Sequence, residues 1–319
     1  MRANLRGPAR QRPVLPAAVW RHETGGRRDQ FGRFTVGVNE SHKHHMVTGI
    51  GDRHRFVGQP EAPDLWADSG VRCRRDEIDR LLGDLDFPAL YRGYTWNDDT
   101  WEKEFPGIYR LEQEMISASR GCTLGPAHVQ KIARRDSVPD HNAANCTGRL
   151  SILLYIDNMP AYWLRHKPES SVRIIEDQIP GLGPACTSRI LRFAVPVVFG
   201  AIDTDLVRVF GHGDPGAQRY HLVDLAASPS GTHWTIPAGQ AIWPEEYGVW
   251  VETLQAIARR LNREEVCCPH PEPYLCSGRR DECIWAAADV EMALASYASV
   301  ALRKMRAPQG VVHKRTTPP

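Results

Sequence analysis

The sequence predicts a mainly α-helical domain that follows a basic N-terminal arm. Apolar residues recur at three- and four-residue steps in successive segments after residue 76, as they do on the buried face of a helix. Apolar residues make up 42% of the 319-residue chain, which is ample for a hydrophobic core. Charge is unevenly distributed, which separates the first part of the chain from the rest. We therefore expect a basic segment at 1–75 and a helical domain at 76–319.

The N-terminal segment is rich in arginine, glycine and proline, which favours disorder. Residues 1–46 carry nine Lys or Arg against three Asp or Glu, whereas the remaining residues carry 31 against 35. The cluster His42, Lys43, His44 and His45 permits a DNA-seeking arm or a metal-binding tract, although a solvated tail is the favoured interpretation. Because the rest of the chain is mildly acidic, we do not expect strong nonspecific binding to DNA, although a local basic groove can exist on an acidic protein.

The first helices of the domain are predicted from apolar spacing. One is marked by Ile108, Leu111, Met115 and Ala118 and ends near Gly121. Thr123 is expected to cap the next, which carries Val129 and Ile132. Residues 150–156 form a buried segment that periodicity cannot assign, and we expect a helix because its neighbours are helical. A short helix is expected at 160–166.

Two further helices are predicted on either side of the sequence Ile-Pro-Gly-Leu-Gly at 179–183. The apolar positions before and after this turn recur at helical spacing, and they are Val172, Ile175, Ile179, Ile190, Leu191, Ala194 and Val195. Pro184 suits the first position of the second helix. The two glycines allow a sharp turn and leave backbone amides at a helix start, which favours a bound phosphate.

The C-terminal part is predicted to contain two long helices after a poorly patterned connection at 211–242. Pro244 opens the first, whose apolar face comprises Tyr247, Trp250, Val251, Leu254, Ile257, Ala258 and Leu261. The last helix is expected from about Ala286 to Lys304, and both are expected to pack against the N-terminal helices.

The turn at 179–183, an interval of twenty residues to Asp203, and the following Thr204 and Arg208 resemble the helix-hairpin-helix DNA glycosylase superfamily, in particular its endonuclease III branch. The resemblance implies a two-lobed helical fold, with a helical barrel half at about 106–210 and a second lobe at about 243–305. It implies that Asp203 is catalytic and that double-stranded DNA is the partner. It also implies phosphate binding by Gly181, Leu182, Gly183 and Ala185, with a possible monovalent cation at the turn.

Two residues depart from the family pattern. Bifunctional members carry a lysine where this chain has Ala185, so no Schiff base to the sugar can form by the family route. The implied reaction is therefore base removal without strand cleavage. Asp205 stands where the family often has histidine, and it either raises the pKa of Asp203 or faces solvent.

The chemistry of Asp203 can also be argued from its residue type. Breaking an N-glycosidic bond develops positive charge on the sugar, and a fixed carboxylate stabilises that charge or orients the attacking water. Asp is also a favoured N-cap, so Asp203 can cap a helix that begins at Thr204. The two roles are compatible. A noncatalytic helix-hairpin-helix module that binds DNA or a protein partner is the alternative.

Further site candidates are chosen by residue type alone. A flipped base is usually stacked between aromatic or apolar side chains, and Tyr155, Trp163, Trp234 and Trp243 qualify, although core packing is the favoured alternative. Glu112 and Glu114 lie on the helix from which some family members supply a second acid. For both, a solvated helix surface is the favoured interpretation.

The cysteine spacing and the lack of long apolar segments bear on cofactors and cellular location. Cys267, Cys268, Cys276 and Cys283 lack the spacing of the family's iron–sulfur cluster, so neither zinc nor iron–sulfur is expected, although loops could bring the thiolates together. Ordinary reduced cysteines are favoured over disulfides. With no apolar run long enough for a membrane helix and no convincing export signal, we expect a cytoplasmic monomer.

Overall fold

The structure is a computed structural model that describes residues 71–133, 146–231, 233–237 and 239–306. The predicted N-terminal arm at 1–75 lies outside the described residues except for its last five, which belong to the first helix. That helix begins at Val71, so the expected boundary at residue 76 falls inside it.

The described chain is mainly helical, as predicted. Its α-helices are α1 (Val71–Asp84), α2 (Phe87–Arg92), α3 (Pro106–Arg120), α4 (Pro126–Ala133), α5 (Pro168–Gln178), α6 (Pro184–Ala194), α7 (Thr204–Phe210), α8 (Glu245–Arg263), α9 (Glu272–Cys276) and α10 (Ala287–Arg306). Short 3-10 helices occupy Trp101–Lys103 and Tyr162–Arg165. None of the helices described is long and apolar enough to cross a membrane.

Three short antiparallel hairpins interrupt the helices. They pair β1 (Thr95–Trp96) with β2 (Asp99–Thr100), β3 (Tyr155–Ile156) with β4 (Met159–Pro160), and β5 (Ser228–Ser230) with β6 (His233–Thr235). In the first, Trp96 lies opposite Asp99, and in the last, Pro229 lies opposite Trp234. Each has only two or three residues a strand, so the helices supply the framework of the fold.

One continuous apolar core joins the helices. Helix α10 packs against α2, α7 and α8, whereas α3 packs on α6, and α5 contacts both α6 and α8. Trp250, Tyr247 and Phe210 are fully buried in this core, and the ring centroids of Phe210 in α7 and Trp250 in α8 lie 6.5 Å apart. The predicted packing of the last helices on N-terminal ones is confirmed by the contacts of α10 with α2 and of α8 with α1.

Residues 150–156 do not form the helix that we expected. The side chains of Leu150, Ile152 and Leu154 are buried and those between them are exposed, which is the two-residue alternation of an extended chain. The Leu150 N–H donates a hydrogen bond to the Leu124 carbonyl, and the Leu154 carbonyl accepts one from the Ala161 N–H. These bonds tie both ends of the extended segment to neighbouring backbone. This alternation is not evident in the sequence, because Leu153 is apolar although its position is 47% exposed.

Other elements begin or end differently from the prediction. The expected helix at 160–166 is reduced to the 3-10 helix Tyr162–Arg165. Helix α4 begins at Pro126, so Thr123 is not its cap, and the Thr123 hydroxyl instead donates to the Ala118 carbonyl at the end of α3. The connection at 211–242 is irregular as expected, apart from the β5–β6 hairpin.

The segment at 198–202 is held between α6, α8 and α10 by buried side chains. From α8, Gln255 Nε2, Tyr247 OH and Trp250 Nε1 donate to the carbonyls of Val198, Gly200 and Ala201, at 3.1, 3.0 and 2.9 Å. A Cβ on Gly200 would lie 2.3 Å from a side-chain carbon of α8, so only glycine fits there. These contacts fix the backbone that leads directly into Asp203.

Candidate active site

Asp203 occupies the N-terminus of α7, and its predicted role as a helix cap is confirmed. Its Oδ1 accepts a hydrogen bond of 2.9 Å from the Leu206 N–H, which satisfies one backbone donor in the first turn. Its Oδ2 lies 3.6 Å from the Arg189 guanidinium, and the side chain is 32% exposed. The carboxylate is therefore fixed in orientation yet reachable from solvent.

The Asp203 carboxylate opens onto a cleft of about 270 Å³. The walls of this cleft come from the loop after α2, from α6, from the start of α7 and from α10. The side chains that define its chemistry are Tyr94, Trp96, Arg189, Asp203, Asp205 and Arg303. Its volume lies near the lower end of the roughly 300–1,000 Å³ typical of small-molecule pockets.

One wall of the cleft is aromatic. Trp96 stacks on Phe193 of α6, with ring centroids 5.2 Å apart and planes 28° from parallel. Tyr94 is half-buried and makes an edge contact with Phe105. Burial, together with the negative charges of Glu291 and Asp203, raises the pKa of Tyr94, so its hydroxyl stays protonated. The wall therefore presents parts of the Tyr94 and Trp96 side chains to the cleft.

The charged groups of the cleft are of both signs. Arg189 faces Asp203, and Arg303 is exposed on α10, where its guanidinium donates to Ser299. The Asp205 carboxylate is 55% exposed and lies 3.2 Å from the Arg208 guanidinium. Of the two alternatives considered for Asp205, its exposed position and its ion pair favour a group that faces solvent.

A buried network of charged side chains lies behind the cleft. Arg192 of α6 bonds to Glu112 at 2.7 Å and to Glu291 at 3.3 Å, and Arg280 holds both oxygens of Asp289 at 3.0 Å. Burial raises the pKa of Glu291 to about 7, against the lowering effect of Arg192. Arg192 is shared between Glu112 of α3 and Glu291 of α10, so the network joins α3, α6 and α10.

The turn between α5 and α6 has the sharp geometry that its glycines predict. Gly181 is exposed with φ of 78°, a left-handed conformation that favours glycine, and Gly183 caps α6. The Leu182 side chain is buried, and its N–H donates to the Ile179 carbonyl at 3.2 Å. The Leu182 amide is therefore used within the turn, so the prediction that it binds phosphate is not supported by this geometry. Among the described residues, none of the turn lines the Asp203 cleft.

The two acidic candidates on α3 do not reach the cleft. Glu112 is fully buried and ion-paired with Arg192 and Arg280, so it is neither the solvated residue that we expected nor an acid open to a substrate. Glu114 is partly exposed and pairs with Lys131 of α4. The sequence pattern could not reveal that Glu112 faces two arginines from distant segments.

The four aromatic candidates are packed against the protein. Tyr155 is buried and donates its hydroxyl to the Ala194 carbonyl at 2.8 Å, and Trp163 is half-buried beside Tyr162. The Trp234 ring lies under the Arg208 guanidinium, and Trp243 Nε1 donates to Glu176 at 2.9 Å. The favoured alternative of structural packing thus describes all four positions.

The C-terminal cysteines differ from the expectation of reduced thiols. Cys267 and Cys283 form a disulfide, so the prediction that disulfides are unlikely is wrong for this pair. Cys268 N–H donates to the Cys283 carbonyl, and this backbone pairing brings the two segments together. Cys268 is buried and Cys276 is exposed. The four cysteines therefore do not present four thiolates to one metal ion.

The aromatic wall and both arginines of the cleft, Arg189 and Arg303, were not predicted from the sequence. Tyr94 and Trp96 belong to a short Gly-Tyr-Thr-Trp-Asn stretch at 93–97, and this exposed loop with two aromatics was a usable signal. Arg303 carried no signal, because nothing in the sequence connects the end of α10 with Asp203.

Comparison of the chain with protein-family models, curated proteins and solved structures finds no match.

Proposed function

We propose that the chain is a monofunctional DNA glycosylase that removes a damaged or mispaired base from double-stranded DNA. The proposal includes the two-lobed architecture, with a barrel half at about 106–210 and a second lobe at about 243–305. The observation that carries it is the position of Asp203. Its carboxylate lies twenty residues beyond the tight turn between two helices, is oriented by a cap bond, and lines a cleft with an aromatic wall.

In the proposed reaction, Asp203 stabilises the positive charge that develops on the deoxyribose ring. Water attacks the anomeric carbon, and the bond to the base nitrogen breaks with its electron pair on the base. The proton released by the water passes to the Asp203 carboxylate, and the departing base takes a proton from solvent. The Leu206 amide and Arg189 hold the carboxylate oxygens in place, which reduces the reorganisation needed during the reaction.

The chemistry of the cleft supports base removal without strand cleavage. Among the residues that line it, the cationic groups are the guanidinium groups of Arg189 and Arg303, which do not form imines as a lysine amine does. Alanine occupies position 185, where a bifunctional relative would carry lysine. The rings of Tyr94 and Trp96 supply flat surfaces on which an extruded base could stack.

A noncatalytic module that binds DNA or a protein partner is the second candidate. It is favoured by the 2.9 Å bond from Leu206 N–H to Asp203, because capping alone gives this aspartate a sufficient structural role. The two candidates differ in whether the negative charge of Asp203 is needed.

The test uses end-labelled duplexes that each carry one lesion or mismatch, incubated with protein and then treated with hot alkali. We expect strand breaks from at least one duplex after alkali and none before it. Asp203→Asn preserves the cap but removes the charge, so base release should fall by about 10²–10³-fold while the thermal midpoint stays within about 2 °C. Asp79→Asn, an exposed carboxylate on α1, is the matched control and should release the base at the wild-type rate.

Two outcomes would overturn the proposal. Wild-type protein that releases no base from any duplex, while still binding it, would favour the module. Base release by Asp203→Asn at the wild-type rate would remove Asp203 from the reaction.

A further inference from the structure

The connection between α7 and α8 brings together two histidines and one carboxylate on the protein surface. One ligand atom from each of His212, His221 and Asp224 lies within 4.8 Å of the others. The Nε2 atoms of His221 and His212 lie 2.7 and 3.7 Å from the same oxygen, Oδ1 of Asp224. Both imidazoles therefore converge on one carboxylate oxygen, and none of the three residues lines the Asp203 cleft.

We propose that His212, His221 and Asp224 bind a divalent transition-metal ion of the zinc class, with water in the remaining coordination positions. Imidazole nitrogen and carboxylate oxygen lie about 2.0–2.2 Å from Zn²⁺, so neighbouring ligands around a tetrahedral ion are about 3.4 Å apart. The two separations from Asp224 Oδ1 bracket that value. The remaining separation, between the ligand nitrogens of His212 and His221, is at most 4.8 Å. Rotation of the His212 ring would shorten it, and His212 is the most exposed of the three side chains.

The backbone of each proposed ligand is already fixed by hydrogen bonds. His212 donates to the Leu225 carbonyl at 2.8 Å and accepts from Ala227 N–H at 2.8 Å. Asp224 N–H donates to Glu246 of α8 at 2.8 Å, and His221 N–H donates to Glu77 of α1 at 3.2 Å. The site is therefore largely preorganised, which lowers the entropic cost of binding an ion.

Neighbouring polar groups orient the ligands as they do in known metal sites. Arg74 lies 3.1 Å from Asp224 Oδ2, which leaves Oδ1 directed at the histidines. The Gln218 side-chain amide lies 2.9 Å from His221 Nδ1. In the structure the Gln218 Nε2 faces the ring. Rotation of this amide by 180° would let its oxygen accept the Nδ1 proton and leave the His221 Nε2 lone pair for the ion.

The described part of the chain holds a second group of residues of the types that bind metals, Cys268, His270 and Asp289, and it differs from the first because it is buried. The side chains of His212, His221 and Asp224 are 59, 37 and 52% exposed, so water can complete the coordination of an ion. In the buried group of Cys268, His270 and Asp289, both Asp289 oxygens bond to Arg280 and His270 Nε2 bonds to the Ile284 carbonyl. That group is already satisfied by the protein.

The test measures metal binding by the full-length chain in which His42, His44 and His45 are each replaced by alanine. These substitutions remove the background that the histidine cluster would contribute to Co²⁺ absorption and Zn²⁺ calorimetry, which are measured after dialysis against EDTA. We expect one saturable site in this parent. His212→Ala or His221→Ala should weaken it beyond the roughly 10–100-fold that loss of an orienting group causes, and Gln218→Ala should weaken it by about 10-fold. His166→Ala, an exposed histidine elsewhere, should bind as the parent does.

The variants also separate metal binding from folding and from base release. Because the ligands are exposed, each variant should match the thermal midpoint of the parent in EDTA, and Zn²⁺ should raise only that of proteins that retain the site. Asp203→Asn should bind metal as the parent does, so failure of the proposed function leaves this proposal standing. A parent without saturable binding, or His212→Ala with unchanged binding, would overturn it.

Discussion

Replacement of Ser188 by alanine should destabilise the protein more than the loss of one hydroxyl group ordinarily does. The Ser188 side chain is fully buried on α6, and its Oγ accepts a 3.0 Å hydrogen bond from the Ile202 N–H. The hydroxyl also lies within 3.2 Å of the Ile202 carbonyl and 3.0 Å of the Ala185 carbonyl. In Ser188→Ala the Ile202 N–H keeps its burial and loses its partner, which costs roughly 1–3 kcal/mol.

The matched control is Ser119→Ala on α3. Ser119 is also buried, but its hydroxyl donates to the Met115 carbonyl one turn earlier and accepts from no backbone amide. Its loss leaves no unsatisfied donor, and alanine is the better helix former, so we expect a change of less than about 0.5 kcal/mol. Urea unfolding gives both free energies. In thermal unfolding, a loss of 2 kcal/mol corresponds to a fall in Tm of about 4–8 °C.

The comparison of the two serine variants tests whether α6 positions Asp203. If Ser188→Ala were no less stable than Ser119→Ala, the Ile202 amide would not depend on Ser188 and the reasoning would be refuted. Under the proposed function, Ser188→Ala should also slow base release, because Asp203 directly follows Ile202 in the chain. Ser119→Ala should leave that rate unchanged.

Two further predictions concern packing and pH dependence. Gly200→Ala should destabilise the protein by roughly 1–3 kcal/mol in urea unfolding, because its Cβ would lie 2.3 Å from a side-chain carbon of α8. The control is Gly83→Ala, whose added Cβ would have no neighbour within 4 Å outside its own helix and which should not destabilise the protein. Burial raises the pKa of Glu291 from 4.5 to about 7, so the folded protein holds a proton there that the unfolded chain releases. Stability from this group should therefore fall by roughly 3 kcal/mol as pH rises from about 4.5 to 7, and Glu291→Gln should flatten that part of the profile. An unchanged profile would contradict the assignment to Glu291.

The local features of the fold could be predicted from sequence because their causes are local. The apolar spacing of α5 and α6 and the two glycines between them are sufficient to define that helical pair. Asp203 could be assigned as a cap because its partner, the Leu206 amide, is three residues away. Residues 150–156 were assigned wrongly because an apolar Leu153 on the exposed side concealed a two-residue alternation.

The cleft and the metal-ligand cluster depend on contacts between distant segments. Trp96 and Arg303 lie about a hundred residues before and after Asp203 in the chain, and only the packing of α10 on α2 and α7 brings their segments together. The disulfide was missed for the same kind of reason. Cys267 and Cys283 are separated by 16 residues, and the backbone pairing that joins them has no signature in the spacing.

The buried network behind the cleft limits which charges can act on a bound substrate. Arg192 and Arg280 balance Glu112 and Asp289, so the network is neutral when Glu291 is protonated and carries one negative charge when it is ionised. Burial raises the pKa of Glu291 to about 7, and the negative charge of Asp203 adds to this effect. When Glu291 is protonated the network carries no net charge, and the carboxyl groups that line the cleft itself are those of Asp203 and Asp205. Asp205 is also paired with Arg208, whereas Asp203 is held by the Leu206 amide and faces Arg189, so a positively charged transition state in the cleft would meet two carboxylates with different partners.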